Sequence, residues 1–159
     1  MKKLIGAVSL AVALAEPAMA ASVSKTYSYF NIGGRTIEEI EVELSRRGPK
    51  MEGTGRRHPG ATRMEFTTRV SYAEAAGSCR IAGAVVSVKA KVILPRWRSR
   101  GKAERETRII WDTLAADIKR HEESHISIAK NHARAMEKAL KALPAEKTCQ
   151  AVAQRAKAT

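Results

Sequence analysis

Between residues 63 and 94 apolar and polar positions alternate. Met64, Phe66, Thr68, Val70 and Tyr72 fall on one side of an extended chain, and Arg63, Glu65, Thr67, Arg69 and Ser71 on the other. After a turn near Ala76 and Gly77, residues Val86, Val88, Ala90, Val92 and Leu94 alternate with Ser87, Lys89 and Lys91. Two such runs around one turn predict an antiparallel hairpin, each strand wet on one face. Pro95 is expected to end the second strand, since it has no N–H to give to a ladder. The period then changes. From about residue 103 to 143 there is neither Gly nor Pro, and apolar or His residues recur at 110, 114, 118, 121, 125, 128, 132, 136, 140 and 143. Steps of three and four predict one amphipathic helix, or two end to end, up to about 60 Å long. That stripe is expected to face the core, with Pro144 stopping the helix and residues 145–159 forming a short final one.

The amino-terminal half reads as smaller pieces. Residues 25–32 are rich in aromatic and β-branched side chains and stop at Gly33 and Gly34, which predicts a short strand. Thr36 then caps a helix, with Glu39 three residues on as its capping-box partner, and Ile37, Ile40 and Leu44 as the apolar face. Gly48 and Pro49 end it, and residues 50–62 read as a loop. The predicted fold is therefore α+β: a small antiparallel sheet packed against one long helix, with a short helix in the amino-terminal half. No repeat or low-complexity linker interrupts it.

The first twenty residues belong to a different class. Lys2 and Lys3 precede an apolar run from residue 4 to 15, and Ala18, Met19, Ala20 give the small-x-small pattern of a signal-peptidase site. The run is too short for a membrane anchor, which needs about 20 apolar residues. Residues 1–20 are thus expected to be an export signal and residues 21–159 a single zinc-peptidase-like domain in the periplasm or outside the cell. No later segment is apolar enough to span a bilayer. The whole chain carries 29 Lys and Arg against 16 Asp and Glu, a formal charge of +13, and loss of the signal lowers it by only one. Such an excess favours anionic partners: an envelope surface, or acidic peptide and protein substrates. Nucleic acid fits the charge but not export, and the few scattered aromatic residues offer no stacking platform. In an oxidising compartment Cys79 and Cys149 are most simply a disulfide, worth roughly 4 kcal/mol in the chain-entropy model. Two free thiols or a Cys metal ligand are the alternatives, although neither Cys has a partner at ligand spacing.

Candidate chemistry lies in the middle of the long helix, where His121, Glu122, Glu123, Ser124 and His125 spell H-E-x-x-H. Residues four apart share a helix face, so two imidazoles can grip one ion while Glu122 flanks it. Zinc binds such nitrogens at about 2.0–2.1 Å and lowers the pKa of a coordinated water to about 7. Glu122 is then the candidate general base, and His121 and His125 the candidate zinc ligands. Independent placement of these residues would produce the string in about one chain in a hundred, so accident starts behind. The plain alternative makes both histidines core residues of the apolar stripe.

A catalytic zinc normally has three protein ligands. His58, in a basic loop, and His132, seven residues beyond His125, are the candidates for the third, although a straight helix puts His132 about 10 Å further along its axis. Asp117, one turn before His121, is a candidate to orient an imidazole from behind. Glu123 points away from the histidines and reads as a surface charge. Trp97 and Trp111 could wall a substrate, but more simply anchor packing.

Leu94, Pro95, Arg96, Trp97, then Trp111, then the H-E-x-x-H helix, with Cys79 and Cys149 on either side and an export signal in front, resemble a bacterial family described as predicted secreted zinc-dependent proteases. The resemblance runs from the strand around Tyr27 through Cys149. It implies this domain identity and zinc-dependent hydrolysis of peptide bonds. Relatives in that family continue beyond the second Cys into a segment with His and acidic residues, and a ligand supplied from there would lie outside these 159 residues. The expected function is metallopeptidase. The alternatives are a non-catalytic zinc-binding or envelope-interacting protein with an incomplete site, or a basic membrane-surface binder. Pairing of the long helix with another in a coiled coil is a further alternative, though neither of the last two explains a Glu set between two His.

Overall fold

The computed structural model describes residues 21–53 and 55–159, and the expected export signal lies outside them. Strand β1 (Ser22–Ile32) is followed by helix α1 (Ile37–Arg47), strands β2 (Ala61–Ala75) and β3 (Ser78–Trp97), helix α2 (Arg105–Lys141) and helix α3 (Cys149–Lys157). The fold is α+β, and α2 lies across one face of a three-stranded sheet in the order β1-β3-β2. The hairpin forms as the alternation predicts, from Ala61↔Ile93 to Ala75↔Ser78, and positive φ at both Ala76 and Gly77 gives the tight turn whose twist suits a hairpin.

The sheet as a whole is mixed rather than antiparallel, because β1 runs parallel to β3, from Ser22↔Ser87 to Ile32↔Trp97. Alternation sets which residues face inward but carries no strand direction. Here the hairpin takes one edge of β3, and β1 occupies the other with α1 packed at its far end. This also corrects the expected role of Pro95. β3 continues through it to Trp97, because pairing with β2 has already ended at Ile93 while pairing with β1 runs on.

Helix α1 is capped as expected: the Thr36 hydroxyl accepts from the Glu39 N–H at 3.3 Å, while the Glu39 carboxylate reaches back to the Arg35 N–H at 2.6 Å. Cys79 and Cys149 form a disulfide, and the Cys79 backbone exchanges two hydrogen bonds with Glu146, so α3 is tied back to the hairpin. Among the described residues no helix is long and apolar enough to cross a membrane.

The stripe that α2 buries is rotated from the expected one. Trp111, Ile118, Glu122, Ala129, Ala133, Glu137 and Leu140 are buried, whereas Ile110, Ile128 and Met136 are exposed at 43%, 51% and 39%. Small residues explain the shift. Ala129 and Ala133 let the helix backbone settle close over Val86 and Val88, so the contact face is set by lack of bulk there. The histidines therefore do not lie on the buried stripe: His121 is exposed and His125 half-buried.

Candidate metal and catalytic site

Glu122 sits on the face of α2 that meets the sheet and is 6% exposed. A buried carboxylate needs a partner, and Thr62 at the start of β2 supplies it. The Thr62 Oγ1 lies 2.9 Å from Glu122 Oε2 and 2.9 Å from the Glu122 carbonyl oxygen, so its single proton can be given to either. Gly60 completes the seat. A Cβ on Gly60 would stand 2.8 Å from Ile118 Cγ2 and 3.0 Å from Glu122 Oε1, so only a residue without a side chain lets this loop close on the helix. Beside the seat a hollow of about 360 Å³ opens between Lys50, Met51 and Glu52 of the loop and Ala61, Thr62 and Met64 of β2.

His121 and His125 project from the next part of the helix surface. Their rings meet edge to face with centroids 4.9 Å apart, and the two Nε2 atoms are 3.3 Å from each other. Two nitrogens held at about 2.0–2.1 Å by one tetrahedral ion lie about 3.3–3.4 Å apart, so the spacing fits a shared ion. It also fits a hydrogen bond in which one ring donates to the other. The donor set, two imidazoles with a carboxylate one residue on, suits zinc.

The remaining candidates lie apart from this pair. His58 is exposed in the loop after α1, where its backbone N–H donates to the Pro49 carbonyl at 3.0 Å. His132 is exposed further along α2. Asp117 pairs with Arg120 at 2.7 Å, in solvent. Among the described residues no three His, Cys, Asp or Glu side chains converge on a point that could hold a metal. The structure thus brings together His121 and His125, turns Glu122 to the adjoining buried face of the helix, and leaves His58, His132 and Asp117 outside the pair.

Glu123 is more than a surface charge. It reaches β1, where it accepts from the Tyr27 hydroxyl and pairs with Lys25. The Tyr27 hydroxyl and then the Lys25 ammonium hold its carboxyl below the usual carboxylate value. This contact clips the edge strand to the helix one residue from Glu122. Trp97 and Trp111 are packing anchors. Both are buried in one core cluster with ring centroids 5.5 Å apart, and the Trp97 indole donates to the Gly34 carbonyl at 3.0 Å. Gly60, Thr62 and Tyr27 went unnoticed in the sequence. Gly60 alone had a signal, as a glycine one residue before a strand.

No curated protein and no solved structure matches the chain. A family model matches residues 27–159, from inside β1 through α2 to the last residue, and so takes in the histidine pair, the Glu122 seat and both cysteines. On that match the chain belongs to the family described as "Bacterial protein of unknown function (DUF922)".

Proposed function

We propose that this protein is an exported zinc peptidase, with His121 and His125 as two ligands of the ion and Glu122 as general base. The convergence of the two Nε2 atoms at 3.3 Å carries the reading. Zinc held there would supply a Lewis acid and an acidified water. The chain's own residues do the rest. Thr62 engages Glu122 Oε2 and leaves Oε1 to take a proton and later return it to a leaving amine. The hollow beside Thr62 offers room for a peptide, and the excess of positive charge favours acidic ones. Export of residues 21–159 after removal of 1–20 is consistent with the Cys79–Cys149 disulfide.

A second reading is a zinc-binding protein without catalysis. It is favoured by the burial of Glu122 against Thr62 and by a ligand set of two among the described residues. Metal analysis and Glu122→Gln separate the two. For the peptidase, wild-type protein carries about one zinc per chain, and the variant keeps it while losing peptide cleavage by about 10²–10⁴-fold. Cleavage that persists in Glu122→Gln removes the peptidase reading. Zinc without cleavage in the wild type leaves the second reading, and loss of neither metal nor activity in His121→Ala removes both.

A further inference from the structure

The sheet has two unlike faces. α2 covers the side bearing Val86, Val88 and Ala90, whereas the opposite side carries the alternate residues, of which Ser24, Thr26, Arg63, Lys89 and Lys91 are all exposed. At the centre of this bare side Arg63 is directly paired with Lys91, and Lys89 sits two residues along the same strand. Ser24 and Thr26 of β1 pair with Lys89 and Lys91 from the other edge, and together these residues line a shallow hollow of about 290 Å³. Like charges set directly opposite each other on a sheet destabilise it. Glu65, across from Lys89, is the acid nearest to hand, yet none of Arg63, Lys89 or Lys91 forms an ion pair with a described residue. Three exposed cations around a single carboxylate, Glu65, leave this hollow net positive, a site for anions.

We propose that this face docks on an anionic phospholipid membrane, with Arg63, Lys89 and Lys91 against the headgroup phosphates and the Ser24 hydroxyl donating a hydrogen bond between them. Three observations favour a lipid surface. The face is three strands wide, its cations are clustered rather than strung along a groove, and the chain as a whole carries a charge of +13 that draws it to such a surface. Docking this way turns the helix side, with His121 and His125, away from the bilayer. The proposal is independent of whether those histidines hold zinc.

The test is sedimentation of the chain beginning at Ala21 with vesicles of phosphatidylglycerol and phosphatidylcholine at physiological salt. The variant neutralises Arg63, Lys89 and Lys91 together to Gln. A charge-matched variant neutralises Lys130, Arg134 and Lys138, exposed on α2. With about one kcal/mol per cation at an anionic surface, the sheet variant should lose vesicle partitioning by on the order of 100-fold, and the helix variant by less than about 5-fold. Thermal unfolding confirms that the sheet variant is folded, since relieving the Arg63–Lys91 pair should not lower its melting temperature. Equal losses in the two variants would mean diffuse charge attraction and overturn the proposal. So would wild-type chain that ignores these vesicles, or that binds inorganic polyphosphate through the same three residues while leaving the vesicles unbound.

Discussion

Glu122 and Glu137 occupy the same face of α2 about four turns apart, and both are buried, at 6% and 7% exposure. Glu137 Oε1 accepts the Val86 backbone N–H at 2.7 Å. That N–H lies one residue before β1 begins to pair with β3 at Ser87, so the carboxylate stands in for a strand that is not there. Glu122 answers no such need. Its partner is a hydroxyl that has a second acceptor within reach, the Glu122 carbonyl oxygen, so the structure of β2 does not depend on the carboxylate. One buried acid completes the backbone hydrogen bonding of a sheet. The other meets a hydroxyl that has an alternative acceptor and stands in sequence between two converging imidazoles, which is where a functional explanation is needed.

Leucine at each position should expose the difference. Glu137→Leu strands the Val86 N–H and should cost about 2 kcal/mol in denaturant unfolding. Glu122→Leu lets Thr62 turn to the backbone carbonyl and should cost less than about 1 kcal/mol. Equal costs would break the comparison and make Glu122 structural. A smaller effect sharpens it from the loop side. Gly60→Ala places a methyl group against Ile118 and Glu122, and should destabilise by about 1–2 kcal/mol while pushing the Glu122 carboxylate out of its seat.

The least effect is one of pH and concerns a third carboxylate. Gly33's backbone N–H at 3.0 Å, aided by Arg47, holds Glu43 below its ordinary value of 4.5. A depressed carboxyl contributes stability that is fully present above the unfolded value and is lost as pH falls through the folded one. Glu43→Gln should therefore lower the melting temperature at pH 7 and flatten its fall below pH 4.5, so that the variant and wild-type curves converge in acid. An unchanged acid limb would remove Glu43 from the origin of the acid sensitivity.

The sequence made the hairpin, the α1 cap and the cysteine pair legible, because each rests on local chemistry: alternation, a Thr-x-x-Glu spacing, and two thiols in an oxidising setting. It misled on the face of α2. Ile110, Ile128 and Met136 are large and apolar and drew the stripe toward themselves, while the charged Glu122 and Glu137 have no place in a count of apolar positions. Burial was decided instead by how closely Ala129 and Ala133 let two backbones approach, and by polar groups on the sheet that needed acceptors. Neither is written in a periodicity count. The histidine pair survived the error because its spacing, unlike its burial, is a property of the helix alone. The seat made by Gly60 and Thr62 was beyond reach, since it joins residues some sixty positions apart.

The hydrophobic contacts along α2 are not one mass. They fall into separate groups, around Trp111, around Ile118, around Ala129 and Ala133, and around Leu140 with the disulfide. A core strung along a single rod in this way behaves like a row of latches. His121 and His125 fall inside the second latch, between Ile118 and Ile126, so Val92 and Leu94 of the sheet hold the very turn that presents the two rings, while the covalent clasp secures a different latch at the far end.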